Sequence, residues 1–213
     1  MPVDLDARSA ALRADVPLGK TALSLRAATW EEDRDSGLVG ARANASGNSL
    51  SATLARQPDV DRPGWRLQAW QTRSNLTNGS VAVAADRSST TAANDQFHTP
   101  ATGRGLNAAL RRTGVVVAGG RLEWEVGLDA RTAEGETNEH SRNLGAGFTR
   151  SRTAGGETTV AGAYGEGAWR GGDWLLAGGL RLDHWASENG HRLERDLTTG
   201  LPTLDETDPD RSG

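Results

Sequence analysis

The sequence predicts an all-β chain, part of an antiparallel transmembrane β-barrel. Three observations carry this: apolar residues recur with period two, short and long polar connections alternate, and apolar content is too low for a thick core. Hydrophobic residues make up 36% of the 213 residues and mean hydropathy is -0.57, against the ~45–50% usual for a globular domain. Seven Trp in patterned segments argue against disorder. A lipid-facing strand needs apolar residues on one face only, so its other face can stay wet.

The clearest strand lies at 121–131. Leu122, Trp124, Val126, Leu128 and Ala130 share one parity, and Arg121, Glu123, Glu125, Asp129 and Arg131 share the other with Gly127. Successive side chains of a strand point to opposite faces, so one face is apolar and the other charged. At 174–185, Trp174, Leu176, Leu180 and Leu182 take one side with Gly178, while Arg181 and Asp183 take the other with Leu175 and Ala177. Leu23, Leu25 and Ala27 alternate with Ser24 and Arg26. Leu50, Ala52 and Leu54 alternate with serines and Thr53. Trp65, Leu67 and Ala69 alternate with Arg66 and Gln68, and Leu106, Ala108 and Leu110 with Asn107 and Arg111. Weaker strands are expected at 157–169 and around 3–14, making about eight in all.

The connections set the polarity of the barrel. Val16–Gly19, Asp59–Pro63, Arg112–Gly119 and Arg170–Asp173 are short to moderate and turn-like. The polar stretches 31–47, 74–102, 135–156 and 188–213 are expected as long loops. Short periplasmic turns opposite long extracellular loops are the barrel pattern. Trp30, Trp65, Trp169, Trp174 and Trp185 fall near the expected strand ends, where aromatic girdles meet the membrane interfaces.

Other chemistries are weakly represented. The chain has no Cys and a net charge of -4, so neither thiolate metal sites nor nucleic-acid binding is indicated. No catalytic motif appears, and no catalytic residue or cofactor is expected. His184, Glu188, His191, Glu194 and Asp196 match no compact metal motif, and Asp205, Glu206, Asp208 and Asp210 lack the calcium-loop spacing. Both groups read as solvated loops. No apolar run is long enough for a spanning helix. Met1-Pro2-Val3-Asp4 opens without the apolar region of the secretory signal that an outer-membrane protein needs, so either the barrel reading fails or the N-terminus is incomplete.

Residues 154–183 carry a family resemblance. Ala163-Tyr164-Gly165-Glu166-Gly167-Ala168-Trp169, the turn Gly171-Gly172-Asp173, and Trp174 through Gly179-Leu180-Arg181-Leu182-Asp183 resemble a recurring hairpin of TonB-dependent receptor barrels. Segments 85–103 and 127–139 resemble outer loops of that family, and the likeness covers most of 15–213. It implies one partial barrel domain over 1–213 in the outer membrane of a Gram-negative cell. It also implies import of a scarce nutrient such as a metal–siderophore chelate. The implied partners are outer-membrane lipid, a chelate or other small ligand, and the TonB complex through an N-terminal plug that this sequence lacks. The closing aromatic strand of the family is missing too, and about eight strands fall short of the ~22 of such transporters. The resemblance makes Arg87, Asp95, Gln96, Phe97 and His98 candidate ligand contacts in an outer loop. The strand parity makes Arg181 and Asp183 an inward charge pair. Two alternatives remain open: a soluble β-sandwich or solenoid binding carbohydrate, and a β-rich enzyme.

Overall fold

The structure, a computed structural model, describes residues 3–59, 61–143 and 145–213. They form one antiparallel sheet of ten strands, in which the first eight pair in sequence order. These are β1 (Asp4–Leu18), β2 (Thr21–Asp35), β3 (Arg42–Arg56), β4 (Gly64–Val83), β5 (Thr90–Val117), β6 (Gly120–Asn143), β7 (Phe148–Gly171), β8 (Trp174–Asp196), β9 (Pro202–Thr207) and β10 (Arg211–Ser212). The eight long strands answer to the expected eight. The polar tail adds β9 and β10, both laid along β8.

The sheet is a single layer, and among the described residues it buries no hydrophobic side chain. A sandwich would press two apolar faces together, and no second layer is present here. The register puts all the expected apolar sets on one face. Leu23, Leu54, Leu67, Ala108, Leu128, Ala163 and Leu182 follow one another along a single rung. Leucines on this face stand open: Leu12 is 79% exposed, Leu182 80% and Leu180 86%. Water penalises each such residue by roughly 1.5–3 kcal/mol relative to burial. The face therefore suits an apolar solvent.

That rung lies beside the turn joining β1 and β2 but well up β7 and β8, whose turn is much lower. The stagger is the mark of strands that tilt as they close a barrel. Gly19, Gly119 and Gly172 hold positive φ in three two-residue turns at the low end. Gly at the first central position, as at Gly19 and Gly172, suits the II′ hairpin. Ala118 also adopts a φ of 50°, so Ala118–Gly119 has the two positive φ values of a type I′ turn.

The long loops expected at the other end are replaced by strand. Positions 74–102 are mostly β4 and β5, and only Ala84–Ser89 lies outside the ladder. Among the described residues, the 135–156 stretch is β6 and β7 except for 145–147, and β8 runs on to Asp196. At ~3.4 Å per residue, the 24 residues of β6 extend ~80 Å, well beyond the ~30 Å of a bilayer core. Polarity misled the reading of these stretches because it reports the solvent on both faces, not the backbone. Ladder hydrogen bonds satisfy N–H and C=O groups equally well where both faces are wet.

The aromatic belt is also narrower than expected. Trp65, Trp169 and Trp174 share the apolar face at the low end, with Trp124 nearby. Trp30 and Trp185 have the opposite parity and lie on the polar face. Their place in the sequence suggested strand ends, but both sit inside long strands.

Candidate functional site

Beside the apolar band, the polar face is organised in rungs of like charge. One rung carries Arg13, Arg26 and Arg131, with Trp70 and Trp185. The next carries Asp15, Asp129 and Asp183 among Ser24, Thr53, Gln68 and Asn107. The third carries Arg66, Tyr164 and Arg181. Like charges on one rung repel, and opposite charges one rung away relieve that repulsion.

Arg181 is the hub. Its Nη1 donates to Asp129 at 2.7 Å and its Nη2 to Asp183 at 2.6 Å. The two residues singled out from the sequence are thus hydrogen-bonded along one strand. Asp129, two strands away, was not singled out, because only the register brings β6 within reach of β8. Tyr164 donates to Glu125 at 2.6 Å, and its ring lies over Gly127 so closely that a Cβ there would overlap it. Trp70 covers Gly105 in the same manner, and Trp30 covers Gly47.

A second cluster sits far up the strands, on the continuation of the polar face. Arg152 donates to Glu139 at 2.7 Å and to Glu194 at 3.0 Å. Arg150 pairs with Asp196 and with Glu194 at 3.5 Å. Asn94 donates to Glu139 at 2.9 Å, and the Thr203 hydroxyl donates to Glu194 at 2.9 Å. Five strands are stitched together here, and Glu139 is buried with 8% exposure. The Arg152 guanidinium, then the Thr203 hydroxyl, hold the Glu194 carboxyl below its ordinary range. The backbone N–H groups of Thr199 and Thr198 do the same for Asp196. The sequence did carry a signal for this cluster: Arg150-x-Arg152 and Glu194-x-Asp196 are like-charge pairs at the spacing of one strand face.

The expected ligand-contact residues do not converge. Arg87 lies at the tip between β4 and β5, with a φ of 60°. Asp95, Gln96, Phe97 and His98 belong to β5 and not to a loop. A register shift between Gln96 and His98 divides them. Gln96 takes the polar face, within 3.4 Å of Asn78, and pairs in register with Glu139. Asp95, Phe97 and His98 take the other face. There Phe97 stacks on His140 at 4.6 Å between ring centroids, and Asp95 lies 3.9 Å from His140. His191, from the weak metal grouping, lies 3.6 Å from Glu136.

A single tilted sheet with one bare apolar face and one charged face defines a segment of membrane-barrel wall. The family model described as TonB dependent receptor-like, beta-barrel matches residues 5–210, and the chain belongs to that family. It is a family of outer-membrane receptors and transporters. Among solved structures, the chain is similar to the ferric citrate transporter FecA in the unliganded form, with a TM-score of 0.69 and 12% identity. That likeness covers 98% of this chain and 32% of FecA. It is also similar to the ferric-catecholate import receptor Fiu from E. coli K12 in a closed form, with a TM-score of 0.74 and 11% identity. There 99% of this chain and 39% of Fiu are covered. The chain thus spans about a third of the length of FecA and about two fifths of that of Fiu. At such identity the likeness speaks for the fold alone. No curated protein sequence matches the chain.

Proposed function

We propose that these strands form part of the wall of an outer-membrane receptor that takes up a metal chelate. The observation that carries the reading is the exposed leucine face backed by a charged one. Water penalises such a face over eight strands, whereas lipid matches it. Family membership supports the same reading, and the names of the two structural neighbours suggest ferric chelates as the cargo class. On this reading the chain lies in the outer membrane of a Gram-negative cell and contacts lipid through its apolar face. Its partner in energy supply is the TonB complex, acting through a plug inside the barrel. Its work is recognition and passage, not catalysis. Arg87, Asp95, Gln96, Phe97 and His98 are the proposed outer contacts, with Arg87 and Gln96 best placed toward the opening. The charge pair of Arg181 and Asp183 faces the interior.

The test uses the receptor translated from the reading frame that carries this chain. Outer-membrane fractionation, heat-modifiable gel mobility and TonB-dependent uptake of labelled ferric citrate or a ferric catecholate are measured together. A protein that stays folded in plain buffer, without detergent, would sink the barrel reading. A heat-modifiable barrel that imports neither chelate would sink the choice of cargo.

A further inference from the structure

The outward face carries a groove of about 740 Å³ that crosses β1 to β4. Leu12, Ala27 and Leu50 wall it on one side and Leu25 and Ala69 on the other, with Gln71 at its β4 end. The row of Leu12, Ala27, Leu50 and Gln71 continues in register to Arg104 on β5. One row higher, Arg73 stands between Asn48 and Thr102 and lines a second, polar groove of about 480 Å³. Arg73 and Arg104 are diagonal neighbours on adjacent strands, ~7–8 Å apart. Both are exposed. Arg104 has Glu134 at 3.5 Å, and Arg73 has no ion pair or side-chain hydrogen bond among the described residues.

Resting on the barrel reading above, we propose that Arg73 and Arg104 hold the phosphate of one outer-leaflet lipid, whose acyl chain lies in the groove that descends to Leu12. The groove slopes as such a chain would. Arg104 lies 13 residues above the lower end of β5 at Val117, and Leu12 six above that of β1 at Leu18. At ~3.4 Å per residue and a tilt of ~45°, these are heights of ~31 and ~14 Å. The first is the outer edge of a ~25 Å apolar band, and the second is its middle. Two guanidinium forks beside one phosphate make charge-assisted bonds that a neutral head group does not offer. The anion is confined to this corner, because Glu134, Glu157 and Glu188 continue the Arg73 row on β6, β7 and β8.

The test is native mass spectrometry of the intact receptor, released from micelles that hold phosphorylated lipid A, the same lipid stripped of phosphate, or inorganic phosphate alone. The expected result is a single retained lipid A. Its occupancy should fall about tenfold or more for the stripped lipid and for the double variant Arg73→Gln, Arg104→Gln. Heat-modifiable mobility of the variant is read first, and if it is lost, the two lipids on the unaltered receptor decide alone. Equal occupancy by the two lipids overturns the proposal, as does full occupancy in a folded variant. Inorganic phosphate bound at these arginines without retention of the lipid also overturns it, since the site then serves a soluble anion. Absence of a heat-modifiable species from the unaltered receptor brings down the barrel reading itself, and is told apart by that gel before any lipid is added.

Discussion

Two regions of the same strands obey different rules. Low on the sheet, each strand is apolar on one face and charged on the other, and aromatic rings cover glycines across the ladder. Higher up, both faces are polar, the ladder carries register shifts near Phe97 and Gly155, and a five-strand ion network occupies the continuation of the charged face. The backbone is continuous through both. The difference shows that strand length and membrane span are separate properties. Hydrogen bonding sets the first, and only the pattern on the outer face sets the second.

The largest expected effect separates the two regions directly. Leu180→Arg places a charge on the apolar face and should cost about 2–4 kcal/mol near the bilayer midplane, read by a folding titration into lipid. Thr153→Arg, at an outer-face position far up β7, should change the same titration by less than about 0.5 kcal/mol. Equal costs would erase the distinction between the regions. Asp183→Asn, on the polar side of the low region, should cost much less than Leu180→Arg, and parity of those two would refute the assignment of faces.

Next come the packing devices peculiar to each region. Gly127→Val drives a side chain into the Tyr164 ring and should cost about 1–3 kcal/mol, as overpacking does. Tyr164→Ala in the same background should recover part of that loss. Arg152→Met strips Glu139 of its cation and should cost about 1–3 kcal/mol in the outer ribbon. Local hydrogen exchange of β6 and β7 above Arg131 should report it while the low region stays protected. A uniform rise in exchange would mean that the two regions unfold as one.

Acid offers a finer probe of the low end. Hydrogen bonds from Lys20, then Arg56 and the Arg62 backbone, hold the Asp59 carboxyl down to about 2. A depressed carboxyl adds stability that is fully present above its unfolded value near 4. That contribution fades as pH falls from there toward 2. Asp59→Asn should therefore flatten the acid limb of stability between about pH 4 and 2 and leave neutral stability nearly independent of pH. The smallest effect concerns the turn at Ala118, whose positive φ suits glycine better. Ala118→Gly should shift stability by no more than about 1 kcal/mol, and upward if relief of strain exceeds the added chain entropy.

Much of the low region was legible in the amino-acid order. Period two along Leu122–Ala130 and Trp174–Leu182 determined strands, their faces and the solvent each face wants, because side-chain direction in a strand is local geometry. Gly19 and Gly172 marked turns for the same local reason. Arg181 and Asp183 could be placed on one face from parity alone. The upper ribbon was not legible, since a strand wet on both faces carries no alternation to read, and its residues resemble loop. Tertiary structure alone decided which strands neighbour one another and in what register. It thereby joined Asp129 to Arg181, set Arg152 between Glu139 and Glu194, and split Gln96 from His98 at a register shift. Those outcomes depend on cross-strand register, and register is fixed by the summed pairing of whole strands, which no local window of sequence contains.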